Sequence, residues 1–514
     1  MKVNSRLFSL STNLDSLIAA VIGFLIIQTF SRHSGIGVSP DSVTYISAAR
    51  HLLEGHGFRA FDDFPVVDFP AGYPFFLAGV SFFTRLDPLQ YGALLNGFLF
   101  GTLIYLCGTV MNGFYHTSKW YKRVMLCCLI LSPALLEVYS MLWSETLFLL
   151  LMMLFTIAIK KYLEKPGTKW LLISAALVSL ACVTRYAAIV LVGIGLFLIF
   201  FEGRPSFGRR IRHCLYFGMV SVLLLLVNLI RNETFTHLAT GARQKSNHSL
   251  MPNIQYFGDV LSDWLLIDRK PGVSIFITGI ALAIFILAML WCYFRRKTER
   301  RYEYILAATG LFYCLFMLIS ASLSRYEQFT SRLLSPMYIP LLWSTSFWIP
   351  SFVSGKVKPV KLLYTGLALT VAAFFLNIEL SEAYETYDGV KDAGIPGYFE
   401  DPFPQSEIVQ FLEQYKPEFK PGYRIYSNAG DAVYLFTGLP ARLLPQWVFP
   451  DEIRKYYQEK NNYLVWFNDV DNPDMLNEQT VIRNKGMILI KKLQDGAVFV
   501  TPDSVFSSNK RPGL

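Results

Sequence analysis

The chain has 514 residues, of which 53% are hydrophobic, 15% aromatic and only 17% charged, and its mean hydropathy is +0.37. Soluble proteins carry about a quarter charged residues, so this composition excludes an ordinary soluble domain and predicts a polytopic membrane protein. The net charge of +9 does not indicate a nucleic-acid partner, because the basic residues gather in short breaks between apolar segments.

The apolar segments predict membrane-spanning helices, since about 20 apolar residues cross a bilayer core and lipid offers the backbone no hydrogen-bond partners. The predicted spans are Leu14–Phe30, Leu89–Met111, Val124–Tyr139, Leu142–Ile159, Trp170–Val183, Ala187–Phe201, Leu215–Ile230, Val273–Phe294, Tyr304–Ala321, Leu333–Ile349 and Leu362–Phe375. The first is predicted to stay uncleaved, because Arg32 and His33 follow it where a signal peptide has small residues. The predicted fold is mainly α, a bundle of about 11 spans.

The basic residues between spans predict the orientation of the chain, because positively charged loops stay in the cytoplasm. They are Lys119, Lys122, Arg123, Lys160, Lys161, Lys165, Lys169, Arg204, Arg209, Arg210, Arg212, Arg295, Arg296, Lys297, Arg300, Arg301, Lys356, Lys358 and Lys361. A cytoplasmic N-terminus places all of them inside, and an odd number of spans places the C-terminus outside the plasma (inner) membrane. Residues 31–88, 231–272 and the tail then lie outside.

The first of these segments, loop 1 (residues 31–88), contains two predicted helices. Asp41–Glu54 is amphipathic, with Asp41, Thr44, Ser47, His51 and Glu54 along one face. Tyr73–Phe83 is apolar but short for a span, which indicates an interfacial or re-entrant helix.

The tail predicts a separate domain. Residues 1–379 are predicted to form the transmembrane domain, and residues 380–514 a C-terminal extracytoplasmic α/β domain. Its strand-like runs are Tyr423–Tyr426, Tyr463–Phe467, Gly486–Lys491 and Ala497–Thr501, and its helix-like runs are Gln405–Tyr415 and Pro450–Lys460.

Charged residues at the predicted outer ends of spans are the candidate functional groups. The candidates are Asp41 and Glu145 as acids or bases, and Arg185, Tyr186, Tyr45, Arg332, Arg231, His56 and Tyr73 as binding residues. Carboxylates and arginines at one membrane face suit transfer from a lipid phosphate, because a carboxylate accepts the acceptor's proton and a cation stabilises the departing phosphate.

Each candidate also has a structural explanation. Asp41 suits the N-cap of its helix, Glu145 a solvated span end, and Arg185 a side chain that reaches lipid headgroups. Arg231 and Arg332 suit interfacial anchors. His51 and His56 lack partners at a metal-ligand spacing, so loop polarity is the simpler interpretation.

Other classes lack their motifs. The sequence contains no GxxxxGK[ST], HExxH or GxSxG motif, which leaves a nucleotide-driven pump or a membrane metalloprotease unsupported. The seven cysteines lie within or beside apolar spans, which predicts neither disulfides nor a metal site.

Two stretches of loop 1 resemble the GT-C superfamily of polyprenyl-phosphate-sugar-dependent glycosyltransferases, in the bacterial branch related to protein O-mannosyltransferases and the lipid A aminoarabinose transferase. Residues 40–58 (PDSVTYISAARHLLEGHGF) are similar to that branch's first outer loop, and residues 69–74 (FPAGYP) to the stretch after it. Weaker similarities are residues 143–145 (WSE), 184–186 (TRY), 331–336 (SRLLSP), 427–431 (SNAGD) and 437–440 (TGLP).

This resemblance implies an inverting transfer in which Asp41 is the base, or the ligand of a divalent cation that assists it. The implied donor is a sugar on a polyprenyl phosphate, and the implied acceptor is a lipid, glycan or protein outside the membrane. Protein mannosyltransferases follow this Asp with Glu, whereas Ser42 stands here, so Glu145 is the candidate second acid. The alternatives are a transporter or lipid flippase, and a non-catalytic envelope assembly protein.

Overall fold

The computed structural model describes residues 10–114, 118–294, 301–325, 328–354 and 356–502. The first sixteen helices are α1 Leu10–Phe30, α2 Pro40–Leu53, α3 Gly72–Thr84, α4 Pro88–Met111, α5 Lys119–Leu131, α6 Pro133–Ser140, α7 Glu145–Glu164, α8 Thr168–Thr184, α9 Ile189–Glu202, α10 Phe207–Thr236, α11 Leu250–Trp264, α12 Pro271–Phe294, α13 Tyr302–Leu323, α14 Ser331–Ser346, α15 Trp348–Ser354 and α16 Lys358–Ala393. Every predicted span coincides with one or two of them, because only a helix pairs all backbone groups within an apolar segment.

Within the described residues, seven helices are long and apolar enough to cross a membrane, or eight if α5 and α6 form one bent span. Helices α8 and α9 are shorter apolar helices, as is α3 in loop 1. The predicted class, a mainly helical polytopic membrane protein with a small C-terminal sheet, is confirmed.

The segment predicted as one span over Val124–Tyr139 is a bent pair. Helix α5 ends at Leu131, α6 begins at Pro133, and their axes differ by 49°. Proline lacks the N–H that would continue α5 and its ring clashes with the preceding turn, whereas it suits the first position of a new helix.

Two of the lysines predicted in cytoplasmic loops are buried within helices. Lys122 is buried in α5 and donates to Asp15 Oδ1 at 2.7 Å, and Lys160 in α7 is ion-paired with Glu164. Their charges are therefore neutralised within the bundle. Arg295, Arg296, Lys297 and Arg300 lie outside the described residues.

The described chain divides into two compact units. The membrane unit comprises residues 1–36, 67–73 and 89–392, and the mixed unit comprises residues 37–66, 74–88 and 393–514. In the membrane unit, α8 packs along α7 and α10, and α12 packs along α11 and α13. The mixed unit combines parts of loop 1 with the C-terminal region, and α16 runs past the predicted boundary at residue 379.

The mixed unit contains a five-stranded sheet in the order β2-β1-β3-β5-β4. Its elements are β1 Arg424–Ser427, β2 Ala441–Leu443, β3 Asn462–Phe467, β4 Ile488–Lys492, β5 Gly496–Val500, α17 Glu407–Tyr415, α18 Gly430–Thr437, α19 Pro450–Gln458 and α20 Glu478–Lys485. Strands β2, β1 and β3 are parallel, and β5 is antiparallel to β3 and β4. The predicted strands are present, whereas β2, α18 and α20 were not predicted.

Helix α2 of the mixed unit begins at Pro40, one residue earlier than predicted, and Ser39 rather than Asp41 is its N-cap. The Ser42 hydroxyl accepts the Ser39 N–H at 3.1 Å, so two serines complete the cap. Asp41 lies in the first turn, where its charge complements the helix dipole. Helix α18 packs against α2, and Thr44, Ser47 and His51 of the predicted polar face are buried.

Candidate functional site

Glu145 is the centre of a charged cluster in the membrane unit. It is the first residue of α7 and is fully buried, at 0% exposure. Its carboxylate is ion-paired with Arg185, the residue that ends α8, and accepts a hydrogen bond from Arg332 Nε at 2.5 Å. Helices α7, α8 and α14 thus meet at one carboxylate, which is not the solvated span end considered from the sequence.

Two neighbours fix the arginines of this cluster. Arg185 Nη1 donates to the Ser144 hydroxyl at 3.2 Å, and the Arg332 guanidinium lies 4.2 Å from the centre of the Trp143 ring. Arginine suits both contacts, because its planar fork can bind a carboxylate while its face lies on an aromatic ring. The stretch from Trp143 to Glu145 therefore contributes a stacking surface, a hydroxyl and a counter-ion.

The cluster brings two guanidinium groups to one place. Both bind Glu145, and a second carboxylate, Glu137, lies near enough to act electrostatically on Arg332 and Glu145. The Arg185 and Arg332 side chains are 15% and 18% exposed, and a guanidinium presents its N–H donors in a planar fork that matches a phosphate. The cluster, defined as Glu145, Arg185 and Arg332, is suited to bind a phosphate that approaches its exposed edge.

Tyr186 follows Arg185 but belongs to a different network. Its hydroxyl donates to the Val67 carbonyl at 3.0 Å and accepts from the amides of Asn228 and Asn232 at 3.3 and 3.2 Å. Arg231 donates to Asn232 Oδ1 at 3.0 Å. The candidates Tyr186 and Arg231 thus join loop 1 to α10, and this network is separate from the contacts of Glu145.

The stretch Phe69–Pro74 packs closely on the end of α8. A Cβ atom on Gly72 would lie 2.5 Å from the Val183 carbonyl oxygen, so only glycine allows this approach. The Ala71 N–H donates to Asn228 Oδ1 at 3.2 Å, and Tyr73 is fully buried. Gly72 therefore meets the backbone just before Arg185, and this candidate tyrosine is buried at the next position.

In the mixed unit, Asp41 has an acidic neighbour from the C-terminal region. Asp431 lies in the first turn of α18, is 4% exposed, and accepts a hydrogen bond from the Tyr398 hydroxyl at 2.5 Å. Burial raises the pKa of Asp431 and the charge of Asp41 raises it further, whereas the Tyr398 hydrogen bond opposes both. Asp41 and Asp431, which come from different parts of the chain, thus interact electrostatically.

The two tail stretches that resemble the family, residues 427–431 and 437–440, form turns at the two ends of α18. The Asn428 amide donates to the carbonyls of Phe467 and Val470 and accepts the Phe467 N–H, which ties the turn after β1 to the end of β3. Gly438 has φ +69° and ends α18, a position that favours glycine. Residues 427–431 and 437–440 thus build the turn that carries Asp431.

The remaining candidates occupy other parts of α2. Tyr45 is buried within the helix, and exposed His56 follows its end, with its ring 3.3 Å from Glu54. In the described part of the chain, no group of three His, Cys, Asp or Glu ligand atoms includes Asp41.

Comparisons with known proteins identify the fold. No protein-family model and no curated protein matches the sequence. The structure is similar to ArnT from Cupriavidus metallidurans bound to undecaprenyl phosphate, with a TM-score of 0.58 and 13% identity over 96% of this chain and 98% of that chain. It is also similar to the archaeal oligosaccharyltransferase AglB from Archaeoglobus fulgidus in complex with an inhibitory peptide and a dolichol-phosphate, with a TM-score of 0.53 and 10% identity over 88% of this chain and 69% of that chain.

The chain is thus a multispanning membrane protein with the GT-C fold. The resemblance predicted from loop 1 is confirmed at the level of the fold, since both neighbours belong to that superfamily. Identities of 13% and 10% establish the fold and leave the activity to be argued from this chain's own residues.

Proposed function

We propose that this chain is an integral membrane glycosyltransferase that moves a sugar from a polyprenyl-phosphate donor to an acceptor on the non-cytoplasmic face of the plasma membrane, with inversion at the anomeric carbon. The fold and the charged cluster support this proposal together. The observation that carries it is the pair of arginines that one buried carboxylate holds together, which offers a lipid phosphate two guanidinium groups at one place.

The proposed reaction divides the roles between two groups of residues. An acceptor hydroxyl attacks the anomeric carbon, the bond from that carbon to the phosphate oxygen breaks, and the polyprenyl phosphate leaves with the bonding electrons. Arg185 and Arg332 stabilise the charge that develops on the phosphate. Asp41 accepts the proton of the acceptor hydroxyl, with Asp431 as the second acidic residue.

Glu145 has a positioning role in this scheme. Its carboxylate is fully buried and bound by both arginines, so it holds their donors in place rather than removing a proton. Preorganised donors of this kind stabilise a transition state without the cost of reorganisation.

The test separates lipid binding from chemistry. We expect the purified protein to bind undecaprenyl phosphate, and Arg185→Ala and Arg332→Ala to weaken that binding roughly tenfold or more, because each removes a charge-assisted contact. Arg325→Ala is the matched control, since Arg325 is exposed at the turn before α14 and bonds Gln244 instead. Asp41→Asn should bind undecaprenyl phosphate normally, but its rate of sugar transfer should fall by about 100-fold or more.

Transfer is measured as sugar released from a panel of undecaprenyl-phosphate sugars, each labelled in the sugar, in membranes that contain the chain. Normal transfer by Asp41→Asn would remove the base assignment, and equal weakening by Arg325→Ala would remove the phosphate site. A flippase would move the lipid across vesicles with the sugar–phosphate bond intact, and an assembly protein would release no sugar.

A further inference from the structure

The C-terminal end of α2 brings together the ligands of a metal ion. Among the described residues, one group of three possible ligands lies within 4.8 Å of one another, and it consists of His51, Glu54 and His56. His51 is buried, whereas Glu54 and His56 are exposed. A buried imidazole beside two accessible ligands leaves a path by which an ion can enter.

The backbone at the end of α2 explains how these residues meet. The helix ends in a Schellman motif: the His56 N–H donates to the His51 carbonyl at 2.9 Å, and the Gly55 N–H to the Leu52 carbonyl at 3.4 Å. Gly55 has φ +78°, the left-handed conformation that this motif requires. The turn reverses the chain and places the His56 side chain beside His51 and Glu54.

One ring nitrogen of His51 is oriented for a ligand. Its Nδ1 lies 3.1 Å from the Arg59 carbonyl oxygen. A carbonyl only accepts, so Nδ1 carries the proton and Nε2 keeps its lone pair. A ring N–H bonded to a backbone carbonyl is the usual arrangement behind a metal-bound histidine, because it fixes the tautomer and the ring orientation.

The spacing of Glu54 and His56 fits a small tetrahedral ion. His56 Nδ1 and Glu54 Oε2 are 3.3 Å apart. Two ligands on one tetrahedral zinc lie about 3.3 Å apart, given bonds of about 2.0–2.2 Å. Two imidazoles and a carboxylate suit zinc and similar transition metals, whereas magnesium and calcium prefer oxygen ligands alone.

We infer that His51, Glu54 and His56 form a binding site for a divalent transition metal of the zinc class, which fastens the turn after α2 to the end of that helix. The residues that follow form a short turn, which an antiparallel bridge between Arg59 and Pro65 closes. Within this turn, the Phe61 carbonyl accepts a hydrogen bond from the Ala441 N–H, at the start of β2, at 3.3 Å. The ion would therefore stiffen a part of loop 1 that contacts the sheet of the same unit.

This site is distinct from the proposed base. Asp41 and His51 are separated by ten residues of one helix, which is about 15 Å. The ion is assigned to structure and takes no part in the transfer step, so the inference stands or falls independently of the proposed function.

The test is zinc titration of purified protein that carries no histidine tag and has been stripped with a chelator. We expect calorimetry to show one zinc bound per chain and no magnesium at the same concentration. His56→Ala and Glu54→Gln should weaken zinc binding roughly tenfold or more, since each removes a ligand. Both side chains are exposed, so these variants keep the fold even if His51→Ala does not.

His248→Ala is the control, because it removes an exposed histidine from the segment before α11. A second measurement is the unfolding temperature, which zinc should raise in the wild type and in His248→Ala but not in His56→Ala. Zinc bound equally by the wild type and His56→Ala, or zinc not bound by the wild type, would overturn the inference.

Discussion

Glu145 determines how the two arginines beside it are held. Two guanidinium groups in a poorly solvated place repel each other, and they stay together here because one carboxylate binds both. Arg332 gains a second contact from the Trp143 ring, and Arg185 from the Ser144 hydroxyl. The arrangement fixes the donors before any ligand arrives.

Glu145→Gln tests this dependence through stability. The amide keeps the shape of the side chain but removes the charge, so two partly buried cations lose the carboxylate that binds both, and we expect the free energy of unfolding to fall by about 3 kcal/mol. Denaturant titration in mixed micelles measures it. Asp263→Asn is the control, because its pair with Arg269 is exposed and is worth less than about 1 kcal/mol.

A loss in Glu145→Gln no larger than in Asp263→Asn would mean that the arginines do not need the carboxylate. The prediction concerns the folded protein and does not depend on the identity of the sugar or the acceptor.

Single residues were predictable as candidates but not as partners. Glu145, Arg185 and Arg332 stood out because ionisable residues beside spans are rare and costly. Their pairing joins positions as far as 187 residues apart, and no local pattern encodes that distance. Asp431 was not predicted as a site residue for the same reason, although the stretch 427–431 that contains it is among the weaker similarities.

At the scale of elements, apolar length predicted the helices well, because lipid leaves the backbone no alternative. It did not predict how closely they approach. Gly72 is the first residue of α3 and lies against the Val183 carbonyl at the end of α8. This contact is possible only because glycine has no Cβ atom. The end of α2 shows the same limit: Gly55 and Gly57 predicted a loop, but not the turn that returns His56 to His51.

Gly72→Ala tests the approach of loop 1 to α8. The added methyl group would lie 2.5 Å from a backbone oxygen, so the two segments must separate, and we expect a loss of about 1–3 kcal/mol in stability. Undecaprenyl phosphate should also bind less tightly, because Val183 lies two residues before Arg185. Both effects are measured on one purified variant.

Gly79→Ala is the matched control in the same helix. A Cβ atom at Gly79 meets nothing within 4 Å, and alanine favours a helix over glycine by about 0.5–1 kcal/mol. This variant should be as stable as the wild type or slightly more stable, with unchanged lipid binding. If both alanine variants behave alike, the close approach at Gly72 has no consequence.

At the scale of the whole molecule, short apolar runs predicted the strands of the tail. They did not predict that segments of loop 1 pack in the same unit as those strands. Residues 37–66 and 74–88 belong to the same compact unit as residues 393–514. In the sequence, the helices of the bundle lie between these segments. Composition and periodicity therefore predict an outer loop and a separate C-terminal domain, whereas the contacts place both in one compact unit. The Asp41–Asp431 pair follows from that long-range association.

The number of helices that cross the membrane decides on which side the mixed unit works. Seven crossings place the C-terminus opposite a cytoplasmic N-terminus, whereas counting the bent pair α5–α6 gives eight and returns it to the same side. Adding the shorter helices α8 and α9 leaves this parity unchanged, whereas adding α14, which coincides with the predicted span Leu333–Ile349, makes eleven crossings and restores an odd number. The basic residues favour these eleven crossings, because they then all lie inside.

Reporter fusions measure this parity directly. We expect alkaline phosphatase to be active when fused after Pro502 and inactive when fused after Gly167, because Lys160, Lys161 and Lys165 retain the latter junction in the cytoplasm. A fluorescent protein that matures only in the cytoplasm should give the opposite pattern at the same two junctions. Cytoplasmic signals at both would assign Asp41 and Asp431 to the inside with the rest of their unit, where an acceptor outside the membrane has no access to the proposed base.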